Sequence, residues 1–212
     1  MTTPDPDVTG IVLAGGLSQR MGGGDKGLLM LGARTMLQRV IDRISPQVQT
    51  LAINANGPPE RFSRYQLPVF PDTYNGYVGP LAGILAGMRW AETNTPSAQW
   101  IITVSTDAPF IPLDLVDRLR HCAKHSACAV SIARSDGNLH PVIGLWPVIL
   151  ADDLEQALNE GIRKVLRWTD RHGTLPVDFD LLEIDGVTLD PFFNANTPDQ
   201  LAEAVDLLNR QA

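Results

Sequence analysis

The chain has 212 residues, of which 44% are hydrophobic and 19% charged, and its formal net charge at pH 7 is −7. This size and composition predict one soluble globular domain over residues 1–212 with a sizeable core. The acidic balance argues against nonspecific nucleic-acid binding, which needs a basic face, and no apolar run reaches the length of a membrane span. The first residues lack the pattern of a signal peptide, and Cys122 and Cys128 are expected to be reduced thiols, so the predicted location is cytoplasmic.

Strand-like and helix-like patterns alternate along the chain. In chain order, the predicted elements are a strand at 8–13, a helix at 33–45, strands at 49–54 and 67–70, a helix at 80–90, a strand at 100–105, a helix at 112–124, strands at 128–133 and 139–146, helices at 147–158 and 161–171, strands at 177–184 and 192–193, and a final helix after an N-cap at Thr197. This order predicts an α/β three-layer sandwich with a mostly parallel central sheet and helices on both faces. The Pro-rich residues 1–7 are expected to be flexible.

The most informative segment is rich in glycine and follows the first predicted strand. It runs from Leu13 to Gly27 as Leu-Ala-Gly-Gly-Leu-Ser-Gln-Arg-Met-Gly-Gly-Gly-Asp-Lys-Gly and carries two cations, Arg20 and Lys26. Glycine lets a backbone come close to a ligand, and successive free N–H groups bind oxyanions. The segment therefore predicts a triphosphate-binding loop, with a flexible surface linker as the alternative interpretation.

Two widespread phosphate motifs do not fit this loop. A Walker A loop needs Ser or Thr after its Gly-Lys pair, whereas Lys26 is followed by Gly27. Gly22, Gly24 and Gly27 have the G-x-G-x-x-G spacing, but they begin well beyond the strand end and lead into an apolar run. A Rossmann dinucleotide site, which opens a helix directly after its strand, is therefore not expected.

Polar residues follow several predicted strands, at the edge where ligands bind in open parallel sheets. Asn54, Asp72 and Asp107 each lie at or just beyond such a strand end. Asp107 follows the buried run 100–105, so its backbone should be rigidly placed, and a carboxylate with phosphate oxygens suits Mg²⁺. A local turn or helix cap is the alternative interpretation for each of the three residues.

The glycine-rich loop resembles the signature Leu-Ala-Gly-Gly-x-x-x-Arg-Met-Gly-Gly-x-Asp-Lys of the molybdenum cofactor guanylyltransferases. The segments that begin at Asp107 (Asp-Ala-Pro-Phe-Ile-Pro) and at Asn194 (Asn-Ala-Asn-Thr-Pro) are similar to two further motifs of that family. The resemblance implies a Rossmann-like nucleotidyltransferase fold of the glycosyltransferase-A-like type. It also implies a reaction in which the terminal phosphate of molybdopterin attacks the α-phosphorus of GTP and pyrophosphate leaves.

The resemblance also implies roles for individual residues. Arg20, Lys26 and Asp107 would be catalytic, with the two cations on the triphosphate and Mg²⁺ on Asp107. The implied GTP-binding residues are Leu13, Ala14, Gly15, Gly16, Lys26, Asn54, Asp72 and Asp107, and the accessory positions are Gly22, Gly79, His140, Asn194 and Asn196. His140 would lie near the acceptor, although a lone histidine is more often structural. Related sugar nucleotidyltransferases often have an aspartate where this chain has Asn196, which argues against a metal site with two carboxylates.

The choice of base and the partners follow from the same resemblance. Gly15 at the second position after Leu13 favours GTP, because Leu-Ala-Ala-Gly accompanies CTP in the broader family. A cytidylyltransferase of the same fold and a noncatalytic GTP-binding module remain the alternatives, and a Rossmann oxidoreductase is a distant third. The expected partners are GTP, the molybdopterin cofactor and, transiently, molybdenum-insertion or target-enzyme chaperone proteins, with no nucleic acid and no membrane.

Overall fold

The computed structural model describes residues 3–15, 25–74, 79–124, 130–184 and 186–193. Several residues singled out above lie outside these ranges: Gly16, Arg20, Gly22, Cys128, Asn194, Asn196 and Thr197. Within the ranges, no helix is both long enough and apolar enough to cross a membrane.

Eleven strands and five α-helices occur in the described ranges. The strands are β1 (Asp5–Leu13), β2 (Met30–Leu31), β3 (Arg34–Thr35), β4 (Val48–Asn54), β5 (Val69–Phe70), β6 (Trp100–Ser105), β7 (Val130–Ser135), β8 (Asn138–Pro147), β9 (Thr174–Asp178), β10 (Leu182–Ile184) and β11 (Val187–Leu189). The helices are α1 (Met36–Ile44), α2 (Pro80–Asn94), α3 (Leu115–Lys124), α4 (Ala151–Asn159) and α5 (Val165–Thr169). Short 3₁₀ segments cover Lys26–Leu28, Ser45–Gln47, Pro59–Tyr65 and Val148–Leu150.

The central sheet has seven strands in the order β5-β4-β1-β6-β8-β7-β9. Strands β5, β4, β1 and β6 run parallel, β7 is parallel to β9, and β8 is antiparallel to both of its neighbours. A two-residue turn joins β7 to β8, with positive φ at Asp136 (46°) and Gly137 (73°). Such a turn can only connect antiparallel strands, which explains the one reversed strand in a sheet that is otherwise parallel, as predicted.

Two apolar layers cover the two faces of the sheet. One packs against α1 and α3 and the other against α2, α4 and α5. Neighbouring residues of a strand point to opposite faces, so Ile11 belongs to the second layer and Val12 to the first. The buried residues of α1 are Met36, Leu37, Val40, Ile41 and Ile44, which form one stripe at helical spacing. The predicted three-layer α/β sandwich is confirmed.

The first strand begins earlier than the sequence predicts. β1 starts at Asp5 instead of residue 8, so residues 5–7 belong to the sheet and not to a flexible segment. The guanidinium group of Arg120 on α3 lies 3.7 Å from the Asp5 carboxylate and 3.2 Å from the Asp7 carboxylate. The Arg120 side chain is only 8% exposed and lies over the ring of Trp100. These contacts, which link distant parts of the chain, hold the start of the strand in place.

Other predicted boundaries in the second half of the chain are wrong. β8 continues to Pro147 and α4 begins only at Ala151, so the predicted helix 147–158 loses its first turn. Gly161 (φ +82°) follows α4, and the amides of Gly161 and Ile162 bond back to Leu158 and Ala157 at 3.0 and 2.9 Å. This Schellman arrangement terminates the helix and leaves only α5 from the predicted helix 161–171. The predicted strand 177–184 is split between β9 and β10, and residues 192–193 form no strand.

The hydroxyl group of Thr103 provides a test of how β6 holds β8. This buried side chain donates to the carbonyl of Val142 at 2.7 Å and accepts from the indole Nε1 of Trp146 at 2.8 Å. Thr103→Val removes the partner of both groups and leaves the buried indole N–H of Trp146 unpaired, so we expect the free energy of unfolding to fall by about 2–3 kcal/mol in urea denaturation. Thr188→Val, at an exposed site, should change it by less than about 0.5 kcal/mol. Equal effects of the two substitutions would contradict the prediction.

Candidate active site

The parallel strands end at one level and bring their following residues together. In the register of the sheet, Leu13 pairs with Asn54 of β4 and with Ser105 of β6. A cleft of about 310 Å³ opens at this edge, lined by Leu13, Gly15, Asn54, Asn56, Asp72, Gly79, Pro80, Gly83, Ser105 and Val142. Five of the residues singled out from the sequence, Leu13, Gly15, Asn54, Asp72 and Gly79, therefore lie around one cavity. Ala14 also lies at this edge, where its amide donates to the carbonyl of Asn54 at 2.8 Å.

Asp72 is held by two asparagine side chains. Asn54 Nδ2 donates to Asp72 Oδ1 at 3.1 Å, and Asn56 Nδ2 donates to Asp72 Oδ2 at 2.8 Å. The backbone N–H of Asp72 donates in return to Asn56 Oδ1 at 2.9 Å. These bonds join the loops after β4 and β5 and orient both amides and the carboxylate at the cleft. The sequence analysis did not single out Asn56, although its position in Asn-Ala-Asn, two residues after Asn54, was the available signal.

Glycine at position 83 lets helix α2 approach this group closely. A Cβ atom at Gly83 would lie 2.7 Å from Asn54 Oδ1 and 3.0 Å from the Leu13 side chain. Any larger residue would therefore displace the Asn54 amide, which is itself only 3% exposed. Close packing at the wall of the cleft therefore explains why helix α2 has glycine at position 83.

Lys26 and Asp107 meet at the end of β6. Lys26 Nζ lies 3.0 Å from Asp107 Oδ2, with side chains 12% and 17% exposed, and the hydroxyl of Ser105 donates to the other carboxylate oxygen. A Cβ atom at Gly27 would lie 2.8 Å from Cβ of Thr106, so the glycine allows the backbone beside Lys26 to press against the strand end. A nearly buried ion pair adds little net stability. Stability therefore does not explain the pair, and its position beside the cleft points to a role in the site.

Asp107 has the donor chemistry for a hard divalent cation. Among the described residues no group of three or more His, Cys, Asp or Glu side chains is placed to hold a metal ion. Mg²⁺ commonly takes one or two protein carboxylates and completes its shell with water and substrate phosphates. A single carboxylate, held by Ser105 and by Lys26 at 3.0 Å, fits that pattern.

Arg61 connects the glycine-rich loop to the loop after β4, and the sequence analysis missed it. Its Nε lies 2.6 Å from the carboxylate of Asp25, the residue before Lys26, as an ion pair. Its other end donates from Nη2 to the backbone carbonyl of Asn56 at 2.5 Å. Arg61 lies in a short 3₁₀ segment without any motif, so no local pattern signals this link.

A second cleft of about 400 Å³ adjoins the first. It is lined by Ser105, Asp107, Ala108, Leu139, His140, Pro141, Val142, Ile143, Asp190, Phe192 and Phe193. Ser105 and Val142 belong to both linings, so the two cavities meet beside Asp107. Burial lowers the pKa of His140, against an opposing effect of the Asp190 carboxylate. The lowered pKa favours the neutral imidazole at pH 7.

Comparison with known proteins gives concordant matches. Residues 10–174 match the model of the MobA-like NTP transferase domain. A Mesorhizobium japonicum protein named molybdenum cofactor guanylyltransferase is 49% identical over 203 residues, which cover 95% of this chain and 96% of that protein. The crystal structure of molybdopterin-guanine dinucleotide biosynthesis protein A from Archaeoglobus fulgidus has a TM-score of 0.73 at 25% identity, covering 95% of this chain and 99% of that one. Rv0371c from Mycobacterium tuberculosis, solved in complex with manganese, shares the fold at 17% identity with a TM-score of 0.63, covering 97% of this chain and 100% of that one.

Asn54→Asp tests whether the cleft tolerates a second carboxylate beside Asp72. The substitution places two carboxylates side by side in a buried position, where one of them must keep a proton, so its pKa rises in the folded state. A folded state that binds more protons loses stability as pH rises. We expect a loss of about 2–3 kcal/mol at pH 8 and a smaller one at pH 4, measured by urea unfolding. Asn138→Asp, at the exposed first residue of β8, is the control, and a loss independent of pH would contradict the prediction.

Proposed function

We propose that this chain, which belongs to the MobA-like NTP transferase family and is a nucleotidyltransferase of molybdenum cofactor biosynthesis, transfers GMP from GTP to the terminal phosphate of molybdopterin. An oxygen of that phosphate forms a bond to the α-phosphorus of GTP, and the bond from the α-phosphorus to the leaving pyrophosphate breaks. The observation that carries the proposal is that two clefts meet at Ser105, beside the Lys26–Asp107 pair. One cleft has room for a nucleotide and the other for its acceptor.

GTP is assigned to the cleft that contains Asn54 and Asp72. Asparagine can both donate to and accept from a purine edge, and the Asp72 carboxylate can accept from the donors of the base or the ribose. The two side chains are already oriented by their mutual hydrogen bond, so little ordering is needed when the nucleotide binds. The backbone would then run from the base towards the phosphates along Leu13, Ala14 and Gly15.

Lys26 and Asp107 would act on the phosphates. Magnesium bound by Asp107 and by phosphate oxygens would offset the charge that develops on the leaving group. Lys26, with Arg20 as its expected companion, would hold the triphosphate, while Ser105 keeps the carboxylate of Asp107 oriented. The attacking phosphate is already an anion at neutral pH, so alignment and charge neutralisation can supply the catalysis without a strong general base.

The choice of base depends on the space beside Gly15. A Cβ atom at this position would have no atom of the described residues within 4 Å, and Gly15 is not among the described glycines with positive φ. Neither packing nor backbone conformation therefore requires glycine here. Gly15 lines the nucleotide cleft, and the fold does not need glycine there. The size of the ligand is therefore the better explanation for glycine at this position.

The test of the proposal compares GTP with CTP in the presence of Mg²⁺ and molybdopterin, with the pterin dinucleotide detected by mass spectrometry. The proposal expects the guanine dinucleotide and one pyrophosphate for each product formed. Gly15→Ala should leave the free energy of unfolding within about 1 kcal/mol of the original, while the ratio of kcat/KM for GTP to that for CTP falls. The cytosine dinucleotide as the main product would support the cytidylyltransferase alternative, and tight GTP binding without product would support the noncatalytic module.

Removing either member of the ion pair should impair the chemical step. We expect Lys26→Ala and Asp107→Asn each to lower kcat/KM by a factor on the order of 10²–10³, because the first removes a cation from the phosphates and the second weakens binding of the magnesium ion that neutralises them. Lys124→Ala, an exposed residue of α3, is the matched charge control and should retain the original rate. If Asp107→Asn kept its rate and its magnesium dependence, the assignment of the metal to this carboxylate would be wrong.

A further inference from the structure

Three polar side chains form a directed hydrogen-bond chain at the wall of the second cleft. Ser135, 1% exposed at the end of β7, lies 2.6 Å from His140 Nε2 and 2.7 Å from Asp190 Oδ1. The serine hydroxyl has a single hydrogen, and the carboxylate can only accept it. Ser135 therefore donates to Asp190 and accepts from the N–H of His140, which places the imidazole proton on Nε2.

The two carboxylate oxygens of Asp190 differ in their hydrogen bonds. Oδ1 accepts from Ser135 and also from the backbone N–H of Phe192 at 2.8 Å. Within the described part of the chain, Oδ2 takes part in no hydrogen bond, and its contact with His140 Nε2 is 3.8 Å long. The Asp190 side chain is 31% exposed and lines the second cleft, so the carboxylate is fixed in orientation while Oδ2 stays open to a ligand.

The remainder of this wall is apolar or accepts hydrogen bonds. The ring of His140 packs on Phe192, with centroids 4.6 Å apart, and its Nδ1 is an acceptor in the neutral tautomer. Leu139, Val142 and Phe193 complete the lining with apolar surface. A flat heterocycle that presents N–H donors along one edge matches these features better than a sugar or an anion does.

We propose that Asp190 is a specificity-determining residue that accepts a hydrogen bond from the 2-amino group of the acceptor's pterin ring through Oδ2. The inference rests on the proposed function, which supplies a pterin phosphate as the acceptor, and it adds the orientation in which that acceptor binds. The negative charge of Asp190 repels the phosphate end, whereas Lys26, which is paired with Asp107 of the cleft lining, attracts it. Ser135 and His140 act as positioning residues, since they hold the carboxylate without reaching the reacting atoms.

The proposal is tested by binding of two fluorescent probes, pterin-6-carboxylate and lumazine-6-carboxylate, which differ in an amino or oxo group at position 2. The unmodified protein should bind the pterin about tenfold or more tightly, because the oxo group of the lumazine would face Oδ2 without a hydrogen. Asp190→Asn keeps Oδ1 for Ser135 and replaces Oδ2 by a donor, so the preference should be lost or reversed. Asp178→Asn, an exposed residue paired with Arg134, should preserve the preference.

Ser135→Ala tests the positioning role separately. It should reduce the ratio of pterin to lumazine affinity, whereas Ser131→Ala, which removes another buried serine of β7, should leave the ratio unchanged. A loss of stability alone would affect both probes equally, so the ratio distinguishes recognition from folding.

Failure of this inference can be told apart from failure of the proposed function. In the transfer assay, Asp190→Asn should raise the KM for molybdopterin about tenfold or more and leave the KM for GTP unchanged. Equal affinity of the unmodified protein for the two probes would overturn the role of Asp190, even if guanylyl transfer is observed. A clear preference for the pterin without formation of the dinucleotide would instead overturn the proposed function.

Discussion

The contact between Lys26 and Asp107 is the interaction on which the rest of the site depends. It requires Asp107 to follow closely on the end of β6 and Lys26 to lie against that strand end. The residue after Lys26 must have no side chain, because it faces Thr106 closely. Gly27 meets the last requirement because a Cβ atom there would overlap Thr106. The pair lies beside Ser105, which lines both clefts, and the proposed function has the nucleotide phosphate and the acceptor phosphate meet there.

The two clefts, one assigned to the nucleotide and the other to its acceptor in the proposed function, are built in different ways. The nucleotide side is formed by parallel strands whose ends are level, because Leu13 pairs with both Asn54 and Ser105. The acceptor side depends on the hairpin of β7 and β8, which brings His140 close to Ser135 and turns the sheet antiparallel at that point. The parallel edge to which we assign the nucleotide therefore borders a hairpin wall with a different set of polar groups.

Much of the fold and part of the site were predictable from local patterns. The sequence shows the glycine-rich segment, the polar residues at strand ends and the alternation of strands and helices directly. Each of these features depends only on residues that are neighbours along the chain. Boundaries failed where distant contacts decide them, as at Asp5, which Arg120 holds in the sheet, or where a helix stop was overlooked, as at Gly161. Arg61 and Asp190 were missed because their significance comes from Asp25 and Ser135, partners that lie far away in sequence, whereas Asn56 had a local signal that was overlooked.

The sequence by itself determined the α/β class, the family signature and the residues available for phosphate chemistry, because strand periodicity and glycine spacing are local properties. Tertiary structure alone decided that Lys26 pairs with Asp107, that Arg61 joins two loops, and that Ser135 orders His140 and Asp190 into one chain. Except for the contact between Ser135 and His140 within the β7–β8 hairpin, these contacts bring together segments separated by whole strands and helices. Sheet register and packing set their distances, and no short stretch of sequence contains that information.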